Sequence, residues 1–355
     1  ISTIQLGSTV DYAILMTTRF REETGARHLR TWERFADAAA HAPNARTAAL
    51  YLHVPFCSRV CSFCLLAATR RPKRDALDAY ATALATQAAM YAPAAAKLPF
   101  TSFHLGGGTP SLLEAAQLER VLQAVSKLPR APGFAAGAEA HPASMTEEWL
   151  RVLRAHGFDR ISLGVESMTP AVLEAVNRGD QSADDVRRAV DLIRRHGMRL
   201  NIDLLTGLPG ETDATWDRTV RDVLALSPDS LSVNRFIGEN SNLSRHGFGA
   251  TAEENERSDR MLAAADALVR ELAPPRWPEQ PARPGGFGMQ YVWESGDDAR
   301  PTRLDDRFAL LRDPGSRVPE RRRALQAALD WSYELLFPDD QRGLWALSCF
   351  AGGAT

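Results

Sequence analysis

Between residues 47 and 236, six short runs rich in β-branched and apolar residues alternate with longer amphipathic stretches, and this alternation restricts the fold more than any other feature of the chain. The runs are AALYLHV from Ala48, TSFHLG from Thr101, GFAAGAE from Gly133, DRISLGVE from Asp159, MRLNIDLL from Met198 and DSLSVNRF from Asp229. Between them, Arg74–Tyr91, Thr146–Gly157 and Ser182–Gly197 read as helices. The last two open on a capping hydroxyl, carry acidic residues in the first turn and stop at a glycine. Consecutive β–α units require parallel strands with right-handed crossovers, hence an α/β core that is either an open doubly wound sheet or a partly closed barrel. Reactive groups then belong at the carboxyl ends of the strands.

Outside this core the pattern changes. Residues 1–47 read as a helical leader. Thr251–Leu272 reads as one more helix, and Ala273–Gln290 (APPRWPEQPARPGGFGMQ) as a Pro- and Gly-rich connection, within a segment 237–290. Residues 291–355 are charged and Arg-rich, with a helical stretch near PERRRALQAALDWSYELL. With 355 residues, 45% of them hydrophobic, the chain needs no crosslinks to fold. A formal charge of −2 supplies no basic field for nucleic acid, and no run reaches the ~18 apolar residues of a membrane span. The expectation is a soluble, cytoplasmic protein.

Three of the four cysteines, Cys57, Cys61 and Cys64, fall in the single stretch CSRVCSFC just after the first strand. That clustering is a poor disulfide framework and a better metal or redox site. Zinc would ordinarily take a fourth ligand from a second arm, and none is visible; zinc nevertheless competes on spacing, as does burial of the thiols as small hydrophobes. Three thiolates can instead hold three irons of a 4Fe-4S cluster and leave the fourth open.

With its YLHVPFCSRVCSFC stretch, the chain resembles the radical S-adenosylmethionine (SAM) enzymes, and within them the oxygen-independent coproporphyrinogen III oxidases with their heme-chaperone and C-methyltransferase relatives. The resemblance covers most of residues 8–236. It implies a partial (β/α)6 barrel, a 4Fe-4S cluster on Cys57, Cys61 and Cys64, and SAM on the open iron, cleaved to a 5′-deoxyadenosyl radical that abstracts hydrogen. GGGTP (Gly106, Gly107, Gly108, Thr109) matches the family segment at the methionyl amino group. Glu139 in EAHP, Arg178 in AVNRG and Asp203 in NIDLL match its other SAM contacts. Glu166 stands where the oxidases usually have Gln, and is expected to tune or contact SAM. Tyr51 matches a family tyrosine near the site and, with Glu166, is a catalytic candidate. Asn234 and Arg235 are expected at a substrate mouth.

The resemblance further implies a small-molecule substrate, either a porphyrinogen or a natural-product intermediate, and a reductant such as flavodoxin or ferredoxin. Oxidative decarboxylation, methyl-carbon transfer with a second SAM (including cyclopropanation), and non-catalytic heme binding or trafficking all remain open within it. The oxidases carry a further cysteine where this chain has Leu66, and only Gly285–Gln290 matches their C-terminal domain. Arg303–Thr355 resembles a segment of bacterial signal-transduction ATPases that regulate transcription, yet the chain has no P-loop. A start at Ile1 and an end within FAGGAT suggest a fusion or a fragment.

Overall fold

Alternation of side chains along each strand organises the molecule. In this computed structural model, residues 2–6, 48–64, 68–96, 99–236, 252–272, 283–284 and 288–292 are described, all within the unit Ile1–Ala299. The strands are β1 (Ser2–Leu6), β2 (Ala48–Val54), β3 (Phe56–Cys57), β4 (Thr69–Arg70), β5 (Phe100–Gly107), β6 (Arg130–Ala140), β7 (Arg160–Glu166), β8 (Arg199–Thr206), β9 (Ser230–Arg235), β10 (Arg283–Pro284) and β11 (Gly288–Val292). The helices are α1 (Arg74–Ala95), α2 (Ala115–Val125), α3 (Glu147–Ala155), α4 (Pro170–Ala175), α5 (Ala183–Arg195), α6 (Asp213–Ala225) and α7 (Ala252–Leu272).

One sheet runs β1-β2-β5-β6-β7-β8-β9-β11-β10, parallel from β1 to β9, with β11 and β10 added antiparallel at one edge. From β2 to β9 the strands neighbour one another in chain order. A doubly wound sheet reverses its order at a switch point; this one does not, so every right-handed crossover falls on the same face. The sheet is thus a barrel wall that stays open, with no pairing of β1 to β10 among the described residues.

The covered face is apolar. Leu50, Leu52 and Val54 of β2, Ile161, Leu163 and Val165 of β7, and Leu200, Ile202 and Leu204 of β8 are buried in one cluster with Leu118 and Leu122 of α2, Trp149 and Leu153 of α3, Val190 and Ile193 of α5 and Val220 of α6. Each such side chain contributes roughly 1.5–3 kcal/mol by leaving water. The alternate residues, among them Tyr51, His53, Glu139, Ser162, Asn201 and Asp203, occupy the other face.

Helix starts follow the sequence. Thr146 Oγ1 accepts from Trp149 N at 3.2 Å, and Ser182 with Asp185 forms a reciprocal capping box. Two expectations need correction. Ser2–Leu6 of the leader is a strand, its Ile4 and Leu6 alternating with polar residues alongside β2; the rest of the leader lies outside the described residues. Within the Pro/Gly-rich connection and just past it, Gly288–Val292 pairs with β9, because a run of five residues without proline can add to a free sheet edge. The segment Arg303–Thr355 and Leu65, Leu66 likewise lie outside the described residues. No described helix is long and apolar enough to cross a membrane.

Glu211 closes the turn from β8 into α6. It is 2% exposed, and its Oε2 accepts from Gly207 N at 2.9 Å. Burial pushes its carboxyl up to about 8, against the pull of the Gly207 and Leu208 amides and Arg257. Above the ordinary carboxylate range the unfolded chain has lost a proton that the fold still holds, so this group removes stability as pH rises toward 8. Glu211→Gln is therefore expected to gain urea resistance relative to the parent between about pH 5 and about pH 8.5. Equal midpoints for both proteins across that range would contradict the assignment.

Candidate functional site

The cysteine loop leaves β2 at Pro55. Its first residues, Phe56 and Cys57, pair in parallel with Thr69 and Arg70, so the loop returns beside its own start. Cys57 is buried at 8% exposure, while Cys61 and Cys64 are partly exposed; none of the three is in a disulfide among the described residues, and Cys64 N donates to Cys61 O at 3.0 Å. Burial pushes the Cys57 and Cys61 thiols up, opposed by Thr109 at Cys57 and by the Arg178 guanidinium at Cys61. Among the described residues no three His, Cys, Asp or Glu side chains converge tightly enough for a single metal ion. A mononuclear zinc site needs four ligands within about 2.3 Å of one point.

The glycines after β5 let backbone pass where side chains would not fit. Gly107 has φ +117°, and Gly108 N donates to Val54 O at 2.7 Å. A Cβ on Gly108 would sit 2.6 Å from Phe56 O and 2.9 Å from Cys57 Sγ. Gly106 lies under the Glu139 carboxylate, where a Cβ would be 2.9 Å from Oε1. Glu139 is held in turn: its Oε2 accepts from Gly107 N at 3.1 Å, and its Oε1 lies 2.9 Å from His104 Nε2.

Arg178 follows α4 by way of a left-handed Asn177 (φ +59°), with Arg178 N donating to Leu173 O and Asn177 N to Glu174 O. This is the Schellman termination, for which Asn is the usual substitute for Gly. It turns Arg178 back toward the sheet, where it is 7% exposed. Its Nη1 donates to Cys61 Sγ at 3.4 Å, its Nε to Gln181 Oε1 at 3.2 Å, and its Nη2 to Gly164 O.

Beside it, Glu166 has φ +65°, at a register shift in the pairing of β7 with β8. Such irregularities re-aim a side chain at a strand end. Burial raises its carboxyl to about 7, Arg178 opposing and the nearby Asp203 and Glu139 carboxylates adding. Burial also raises Asp203, against hydrogen bonds from Ser162 Oγ at 2.9 Å to Oδ2 and from Asn201 Nδ2 at 2.7 Å to Oδ1.

These groups share one cavity of about 790 Å³, its open mouth included, at the carboxyl ends of the strands. Cys57, Cys61, Cys64, Gly107, Gly108, Thr109, Glu139, Glu166, Arg178 and Asp203 all line it. Gly106 supports it from behind Glu139. Tyr51 shares the polar face but does not line the cavity; its hydroxyl lies 3.2 Å from His53 Nδ1 and its ring stacks on His104. Asn234 and Arg235 also lie off the lining, with Arg235 Nη1 3.0 Å from Asp259 Oδ1.

Sequence reasoning missed the residues that hold the others: His104 on Glu139, Asn201 and Ser162 on Asp203, and Asp180, which lines the cavity itself. For two of them a signal existed. His104 and Asn201 share strand parity with Gly106 and Asp203, which places each pair on one face.

Comparison with known proteins agrees with this geometry. Residues 51–223 match the model of the Radical SAM superfamily. Oxygen-independent coproporphyrinogen III oxidase of Paracoccus denitrificans is 35% identical over 202 residues, 56% of this chain and 45% of that protein. The Bradyrhizobium diazoefficiens enzyme of the same name is 33% identical over 236 residues, 64% of this chain and 51% of that protein. The chain thus spans about half the length of these curated relatives. The solved structure of coproporphyrinogen III oxidase from Escherichia coli, described as a radical SAM enzyme, superposes with a TM-score of 0.63 at 26% identity, covering 75% of this chain and 59% of that one. The parallel α/β sheet, its three-cysteine loop and these matches together identify residues 51–223 as a radical SAM domain.

Proposed function

We propose that the chain is a radical SAM oxidoreductase of the coproporphyrinogen III oxidase type, with a 4Fe-4S cluster on Cys57, Cys61 and Cys64. SAM is held by Gly106, Gly107, Gly108, Thr109, Glu139, Glu166, Arg178 and Asp203. The observation that carries the reading is the convergence of three cysteine thiols, a glycine-rich turn, four carboxylates (Glu139, Glu166, Asp180 and Asp203) and a buried guanidinium on one cavity.

The donor set fits the two groups. Three thiols leave one iron without a protein ligand. Gly108 packs so closely on Phe56 O and Cys57 Sγ that a methyl would not fit, which fixes the GGGTP turn against the start of the cysteine loop. When bound, the cluster and SAM supply one-electron chemistry that begins with abstraction of a hydrogen atom from the substrate. The remaining work belongs to the chain. Arg178 places a positive charge against the Cys61 sulfur and so favours its thiolate. Glu139 is oriented from both of its oxygens and Asp203 by two donors, so neither has to reorganise to accept from an ammonium or hydroxyl group. Glu166, its carboxyl raised to about 7 by burial, is partly protonated at neutral pH at the strand end.

The names of the relatives support a porphyrinogen substrate. Loss of a propionate carboxyl as carbon dioxide would leave a vinyl group, with one electron supplied by a reductant such as flavodoxin or ferredoxin and one passed from the substrate to an electron acceptor. Anaerobic reconstitution with iron and sulfide is expected to load about four irons per chain. Reduction with SAM present should then yield 5′-deoxyadenosine, and coproporphyrinogen III should raise its yield and lose carbon dioxide. Loading of one zinc and no iron would contradict the cluster assignment; 5′-deoxyadenosine without porphyrinogen turnover would contradict the substrate.

Cys61→Ala is expected to lose both the iron–sulfur absorbance and 5′-deoxyadenosine formation. Full cluster content in that variant would contradict the ligand set. Gly108→Ala is expected to keep its far-ultraviolet circular dichroism and retain less than about a tenth of the parent's iron, because the added methyl meets Phe56 O and Cys57 Sγ. Parental iron content would contradict this dependence on the packing of Gly108.

A further inference from the structure

Five residues distant in sequence from the cysteine loop hold it in place. The segment Val176–Asp180, which follows α4, meets Ser58–Ser62 at four points. Ser62 N donates to Val176 O at 2.9 Å, and Asn177 Nδ2 donates to Val60 O at 2.9 Å. Arg178 Nη1 donates to Cys61 Sγ at 3.4 Å, and Ser58 Oγ donates to Asp180 Oδ2 at 2.9 Å. Within the loop Cys64 N donates to Cys61 O, and the four contacts above anchor it from outside. A segment with few internal hydrogen bonds opens locally at low cost unless it is docked elsewhere.

The docking side is rigid. Val176 is fully buried with Val172 and Leu208, against which Phe63 of the loop packs. Asn177 is fixed by its left-handed termination of α4, and Gln181 Nε2 donates to Val165 O at 2.7 Å just beyond Asp180. The other oxygen of Asp180 lies 3.9 Å from His141 Nε2 at the end of β6, so the carboxylate lies between the loop and that strand end.

We infer that Asn177 and Asp180 are positioning residues that clamp the cysteine loop, Asn177 through Val60 O and Asp180 through Ser58, and thereby keep the three thiols in register for a cluster. The clamp itself is independent of the proposed function, while its effect on a cluster rests on that reading. Neither side chain is a metal ligand. Their effect is on the geometry of Cys57, Cys61 and Cys64 and on the rate at which the loop opens.

Two readouts on the full chain separate these statements. In the iron-free protein, amide exchange at Ser62 is expected to be about tenfold faster in the double variant Asn177→Gly with Asp180→Ala, at parental melting temperature. Glycine retains the left-handed turn, so the loss is that of the side-chain tether. Asp180→Asn and Ser58→Thr, which keep an acceptor and a hydroxyl, are expected to restore the parental rate. In the reconstituted protein the double variant is expected to release iron to a chelator about tenfold faster and to broaden the electron paramagnetic resonance lines of the reduced cluster. Exchange at Ser62 within twofold of the parent, or no rescue by the conservative variants, would overturn the clamp. Faster exchange with unchanged iron release would overturn its role in cluster retention. Failure of the parent to take up iron would instead overturn the proposed function and leave the exchange result readable. Should the double variant melt early, Ser58→Ala carries the same exchange test, because it removes only one hydroxyl.

Discussion

From β2 to β9, strands that neighbour one another in the sheet are neighbours in the chain, and each sends alternate side chains to opposite faces. The site depends on this pairing. Because all crossovers fall on one side, one face is saturated with Leu, Ile and Val against helices, and the other is left to polar residues. A single-residue slip in any of these strands would exchange the two sets, placing apolar side chains in the cavity and carboxylates among the helices. The hydrophobic burial that stabilises the fold is thus the same constraint that aims Glu139 and Asp203 inward.

The register is interrupted where chemistry is needed. Between Gly164 and Glu166 the pairing of β7 with β8 shifts, and Glu166 takes a left-handed backbone conformation that side chains ordinarily avoid. At the end of β5, Gly107 does the same with no steric penalty. Beyond these strand ends lie loops held by hydrogen bonds from elsewhere: Gly108 N to Val54 O in the GGGTP turn, and the cysteine loop to the segment after α4. The cavity is therefore built from rigid strand termini on one side and docked loops on the other.

Much of this was legible in the sequence. AALYLHV coincides with β2, and Thr146 and Ser182 cap α3 and α5 where their spacing to acidic residues indicated. These features are local, fixed by residues a few positions apart. The thiols, the glycines, Glu139, Arg178 and Asp203 were legible through resemblance and parity, and the structure brings them to one cavity. The hydrogen bonds that support them were not. Ser58 to Asp180 spans 122 residues, His104 to Glu139 spans 35 and Ser162 to Asp203 spans 41, and partners at such separations are specified by the sheet order and not by any short motif. The β11 strand was hidden for a different reason: Pro and Gly around it dominate the composition, while the free edge of β9 selects a five-residue run.

The proposed function requires that the three-cysteine loop and the strand-end carboxylates form one binding site, in which a cluster iron lacking a protein ligand would face the groups that hold SAM. The most direct test is the electron paramagnetic resonance spectrum of the reduced, iron-loaded full chain before and after addition of SAM. SAM is expected to change the g-values in the parent protein, and Asp203→Ala and Arg178→Met to weaken this response. A spectrum indifferent to saturating SAM, from a chain that holds its full complement of iron, would contradict it.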